Sequence, residues 1–202
     1  MFTRGRFILP VSVLLLETAA ISFAGAACLE VHVHNDAGLD RALLIRCVLQ
    51  LRGILVLAGA SVDIKICEGV GALSCEHVSE DARFVDLRIL PGVAKNMKDT
   101  RRAPLGQSVA SELGGVYAVL FLASVQSQAV AADVPWTVLL AYAAAHEIGH
   151  LLLGSGAHTV SGVMKASWDA KDMLGMFQNS VHFSREQQRL IAHCCGGFAR
   201  EK

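Results

Sequence analysis

Hydrophobic and polar positions along the chain alternate between two periods. Leu44, Val48, Leu51 and Leu55 recur at helical spacing, which predicts an amphipathic helix from about Leu39 to Ala58, ended by Gly59. Strand-like alternation lies on both sides of it. Val31-His32-Val33-His34 predicts a short strand with its two histidines outward on an exposed face. Val62, Ile64 and Ile66 oppose Asp63 and Lys65; Val85, Leu87 and Ile89 oppose Asp86 and Arg88. These patterns predict two half-buried strands, Val62 to Cys67 and Val85 to Leu90, the second broken by Pro91-Gly92.

Further along, Gly114-Gly115 leads into the apolar run Val116 to Ala123, which predicts another strand bounded by a polar Ser/Gln loop. The segment Val138 to Leu153 is apolar for most of its length and predicts a buried helix. Asp133 is its expected N-cap, Pro135 falls in its first turn and Gly154 is its stop. Ser184-Arg185-Glu186-Gln187 has the form of a capping box and predicts a last helix to about His193. Lys95 to Arg102 reads as a solvated basic loop.

The central chemistry lies inside the long apolar helix, at His146-Glu147-Ile148-Gly149-His150. Residues four apart share a helix face, so His146 and His150 can offer imidazole nitrogens to one metal ion. Glu147 lies between them, placed to hold a water rather than the metal. A zinc ion with neutral histidine ligands and an open position lowers the pKa of such a water, and a neighbouring carboxylate can take its proton. Burying two imidazoles and a carboxylate among leucines without such a partner would be costly.

Composition narrows the setting. With 18 basic and 18 acidic residues the charge is balanced, giving no reason to expect nucleic acid as a partner. Residues 1–27 have the form of a secretory signal: Arg4 and Arg6, then the apolar stretch Phe7 to Leu16, then the small residues Ala24-Gly25-Ala26. The expectation is a secreted or periplasmic protein with no membrane contact after signal cleavage, its residues 28–202 forming a single domain. Cys28, Cys47, Cys67, Cys75, Cys194 and Cys195 suit an oxidising compartment, and Cys67 and Cys75, around a short loop, are the expected disulfide.

Two histidines do not complete a catalytic zinc site, for which three protein ligands are usual. His158 is the favoured third, because Gly154 can turn the chain back under the helix. The alternative is a carboxylate from Asp169, Asp172 or Glu186. His182 and His193 are expected on the surface. Here the string HEIGHLLLGSGAH, followed by Ser161-Gly162-Val163-Met164, resembles the metzincin branch of the zinc metallopeptidases. It also resembles small secreted bacterial proteins of unassigned role that share an HEIGHLLLG helix. The metzincin spacing differs here: Gly154 comes one residue late and His158 two.

The resemblance implies an α/β zincin fold: a twisted mixed sheet over a long active-site helix, with a helical segment at the C-terminus. It implies His146, His150 and His158 on one catalytic Zn2+, Glu147 as general base, and Met164 as the methionine of a tight turn beneath the metal. The expected function is a secreted zinc-dependent peptidase acting on peptide or protein substrates. An extended substrate would add to the edge of the Val116 to Ala123 strand. The alternative is a non-catalytic exported zinc-binding protein, or a binding module, on the same fold.

Overall fold

The computed structural model describes residues 27–67, 75, 83–94, 103–110 and 116–196. Residues 1–26 of the expected signal segment, the Lys95 to Arg102 loop and Gly114-Gly115 lie outside the described residues. Five strands and five helices follow in the order β1 (Leu29–His34), α1 (Arg41–Leu57), β2 (Val62–Cys67), β3 (Arg83–Leu90), β4 (Gly106–Ala110), β5 (Val116–Phe121), α2 (Leu122–Ala131), α3 (Trp136–Leu153), α4 (Ala170–Phe177) and α5 (Arg185–Gly196). The strands form one mixed sheet in the order β2-β1-β3-β5-β4. β1 runs parallel to β2 and β3, β3 parallel to β5, and β4 antiparallel to β5.

The alternating strands behave as their patterns require. Leu29, Val31 and Val33 of β1 and Val85, Leu87 and Ile89 of β3 are buried on one sheet face. There they form a continuous core with Leu44, Leu51 and Leu55 of α1 and Leu139, Leu140 and Ile148 of α3. α1 starts where its sequence provides a cap. The Asp40 side chain accepts hydrogen bonds from the backbone N–H groups of Ala42 and Leu43, satisfying donors that have no partner within the helix. Gly59 follows its end at φ 93°, in the left-handed region open to glycine. α5 opens on the expected box: Ser184 Oγ accepts from Gln187 N, and Gln187 Oε1 accepts from Ser184 N.

Several sequence expectations are corrected. The apolar run from Val116 breaks at Phe121. Leu122, Val125 and Ala129 are then buried at helical spacing, so α2 stands where a strand end and a polar loop were expected. Asp133 does not cap α3. It sits at φ 53° and its N–H bonds to Val130 O as α2 ends. Pro135 holds the N-cap position of α3, with no side-chain cap. α4 and the short strand β4 carried no pattern strong enough to register. α4 is set by a capping box between Asp169 and Asp172. Most consequentially, β5 is an inner strand. The sheet edge beside α3 belongs to β4.

His32 departs furthest from expectation. It is 1% exposed, not on a solvated face. Two disulfides stand among the described residues. One is the expected Cys67–Cys75 pair, and the other joins Cys28 to Cys195 across 167 positions of sequence. Cys47 and Cys194 are free.

Candidate metal centre

α3 carries His146, Glu147 and His150 beneath the β4–β5 side of the sheet. Ala141, Ala143, Ala144 and Ala145 are buried along it, and their small side chains let the helix approach the sheet and α1 closely. At its C-terminus Gly154, at φ 94°, turns the chain away, and the Gly154 N–H bonds to His150 O. The following loop returns below the helix. Gly162 adopts φ 88°, and a Cβ there would lie 2.4 Å from His182 O, so only glycine fits this turn. Thr159 N bonds to Met164 O and Val163 N to His182 O, pinning the loop from both sides.

Met164 is fully buried against Gly149 of α3. A Cβ on Gly149 would fall 2.4 Å from its sulfur, so the glycine inside H-E-x-x-H makes room for this methionine. The same loop directs the two helix imidazoles. His146 Nδ1 lies 2.8 Å from Val163 O and His150 Nδ1 3.4 Å from Gly154 O. A carbonyl only accepts, so the proton of each neutral ring sits on Nδ1 and the Nε2 lone pair is left to face inward. These two Nε2 atoms are 3.1 Å apart.

His158 completes the group. Its ring centroid lies 5.4 Å from that of His146 and 4.7 Å from that of His150. One ligand atom from each of the three rings falls within 4.8 Å of the others, close enough to converge on a single ion. Burial lowers the His146 pKa to about 4, against a raising bond to Val163, and the neighbouring histidines lower it further. Burial likewise lowers His150. Both rings are thus held in the neutral form that ligates a metal. The proposed carboxylate alternatives stand elsewhere. Asp169 and Asp172 cap α4 and bind Lys165, and Glu186 is exposed in the first turn of α5. His182 and His193 are exposed, as expected.

Glu147 is 8% exposed. Burial pushes its carboxyl up to about 7, opposed by a hydrogen bond from Ser108. Ser108 belongs to β4, which lies directly over the carboxylate. A Cβ on Gly106 would meet Glu147 Cγ at 2.8 Å and Val119 O at 2.9 Å. Gly106 therefore lets the edge strand come down onto the helix. The ring of Trp168, which ends the motif run after Met164, meets His146 edge-on at 5.3 Å, whereas Gly106 and Ser108 carried no sequence signal. A five-residue strand leaves too short a pattern to place them.

These groups line one open cleft of about 850 Å³, with β4 along one wall and Lys165 to Trp168 along another. Histidine nitrogens directed inward, a buried carboxylate beside them and an open approach suit a zinc ion with room for water and substrate. A purely structural site would be closed.

No protein-family model matches the sequence, and no curated protein matches it. Solved structures do. Over 85% of this chain and 97% of the other, it superposes on archaemetzincin from Methanopyrus kandleri with a TM-score of 0.55 at 14% identity. It superposes on metalloproteinase-II from Bacteroides fragilis with a TM-score of 0.51 at 17% identity, over 83% of this chain and 53% of the other. The chain thus spans about half the length of the Bacteroides protein. The mixed five-stranded sheet and its helices match the zincin-like fold of these two structures.

Proposed function

We propose that the chain is an exported zinc-dependent peptidase. His146, His150 and His158 are the zinc ligands, Glu147 the general base and Met164 the supporting turn methionine. The observation that carries this reading is the convergence of three imidazoles beside a buried carboxylate, in a cleft walled by an open sheet edge. Bound zinc would polarise the scissile carbonyl and acidify a water. Glu147 would accept the proton from that water and pass it to the leaving amine. Its burial and raised pKa suit a group that must both take and release a proton near neutrality.

β4 supplies the substrate platform. Among the described residues no strand pairs with its outer edge, so its backbone groups can bond to an extended peptide laid along the cleft. β5, once expected in this role, is paired on both sides and has no edge to offer. Export rests on the basic and apolar N-terminal pattern. Recovery of protein beginning at Ala27 or Cys28 from the extracellular or periplasmic fraction tests it.

Glu147→Gln decides between peptidase and non-catalytic zinc protein. The variant should keep near-stoichiometric zinc and a similar Tm while losing roughly a hundred- to ten-thousand-fold in peptide hydrolysis. The check is chelator-sensitive cleavage of an unstructured polypeptide, measured beside metal content. Equal inertness of wild type and variant at full zinc would replace the peptidase reading with the binding one.

A further inference from the structure

A second cluster of metal-ligating side chains lies on the other side of the sheet. Glu30 and His32 alternate with the core residues of β1 and so point away from α1 and α3, yet they are only 3% and 1% exposed. Glu30 Oε1 accepts from His32 Nε2 at 2.6 Å and from Lys65 Nζ at 2.5 Å. Phe84 meets the His32 ring edge-on, with centroids 4.6 Å apart. A carboxylate oxygen shared with the Lys65 ammonium accepts, so the hydrogen on His32 Nε2 is committed to Glu30. Nδ1 is then the ring nitrogen left to bond a metal.

Cys67 and Cys75 stand beside this ring. One ligand atom from each of His32, Cys67 and Cys75 falls within 4.8 Å of the others, with the two sulfurs joined in the disulfide. A disulfide that merely closes a short loop needs neither an imidazole nor a buried carboxylate next to it, and burying both is costly. A carboxylate on the far nitrogen of a histidine is the arrangement that orients that histidine toward a metal.

We propose that reduction of Cys67–Cys75 opens a second zinc site, formed by His32, Cys67 and Cys75, with Glu30 positioning the imidazole. A dithiol reductant supplies two electrons and two protons through thiol–disulfide exchange. The Cys67–Cys75 bond breaks to two thiols while the sulfurs of the reductant join as a disulfide. On binding Zn2+ both thiols lose a proton to solvent and two sulfur–zinc bonds form. Two thiolates and one imidazole are a soft N/S set suited to zinc, and the thiolate charges neutralise the ion in a buried setting. A disulfide oxidant reverses the exchange and releases the metal. The two zinc sites would thus differ in control: the cleft takes its ion from histidines alone, and the sheet site responds to thiol redox state.

Cobalt(II) titration of the purified full chain tests this, because only a thiolate site gives a sulfur-to-cobalt charge-transfer band. The oxidised protein should bind without that band, and the dithiol-reduced protein should bind one further equivalent with it. Cys67→Ser should abolish the band. Cys75→Ser, outside the regular elements, replaces it as the probe if Cys67→Ser does not fold. Glu30→Gln should weaken the second equivalent roughly ten- to hundred-fold and leave the first unchanged. His158→Ala should show the reverse, losing the first equivalent and keeping the band, so failure of the cleft site and of this one are read separately. Absence of the band from reduced wild type would overturn the proposal. So would its survival in both Cys67→Ser and His32→Ala, which would assign it to other cysteines.

Discussion

The two histidine clusters use the same side chain in opposite settings. His146, His150 and His158 come from a helix and a returning loop, and their nitrogens meet at the floor of an open cleft. His32 comes from an inner strand, buried against Glu30, Lys65 and Phe84. In the cleft the second nitrogen of each helix imidazole is held by a backbone carbonyl, which fixes the tautomer and adds no charge. In the sheet it is held by a carboxylate, which fixes the tautomer and adds a full negative charge. Burial keeps the two helix rings neutral, and the backbone acceptors leave their Nε2 atoms free for an ion to bridge. The carboxylate makes His32 part of the fold's own electrostatic balance. The partner on the far nitrogen thus differs between the clusters, a neutral carbonyl in the cleft and a carboxylate in the sheet.

The contrast breaks first at the cleft. His150→Ala should strip the zinc and reduce chelator-sensitive peptide cleavage to background, while Tm measured without metal moves little, because the ring is only half-buried. Metal analysis and thermal unfolding of the same preparation check both halves. His32→Ala should do the opposite. It should leave cleft zinc and cleavage near wild type and cost about 3 kcal/mol of stability by denaturant unfolding, from the cavity and the buried hydrogen bond lost to Glu30. A cleft that loses activity with His32→Ala would show the two clusters to be coupled through the sheet.

Smaller effects sharpen the picture. Gly162→Ala forces a side chain onto His182 O at a positive φ. It should cost about 2 kcal/mol and weaken zinc binding as well, because the same turn carries the Val163 carbonyl that holds His146. Zinc affinity unchanged by a substitution that lowers Tm would separate the turn from the site. Glu30→Gln is the mildest, about 1 kcal/mol at neutral pH. The folded-state pKa of Glu30 is depressed, so its contribution is fully present above the ordinary value of 4.5 and is lost as pH falls through the lower folded value. The Tm difference between wild type and Glu30→Gln should therefore shrink on acidification below that value.

Much of this was legible because it is local. The helical face shared by His146 and His150, the Gly154 stop, the alternation of the second and third strands, the Gly59 end of α1 and the Ser184–Gln187 box each depend on residues a few positions apart. Backbone geometry and capping act over that distance and leave a pattern in the sequence. Asp133 shows the limit even there: an N-cap residue type was spent on ending α2, because two helices met within a few residues and either could claim it.

Other features had no local signature. That β4 occupies the edge and lays Gly106 and Ser108 on Glu147, that β5 is enclosed, and that Cys28 finds Cys195 are decided by which surfaces pack together. So is the burial of His32, whose alternation reads the same on a solvated face as on a covered one. By itself the sequence determined a helix carrying H-E-x-x-H, the strands beside it and a histidine loop after it. Only the tertiary structure decided that the loop returns to bring His158 to the other two rings, and which strand stands over Glu147. Periodicity records which side of an element is apolar, whereas the neighbour that covers it is chosen by long-range packing.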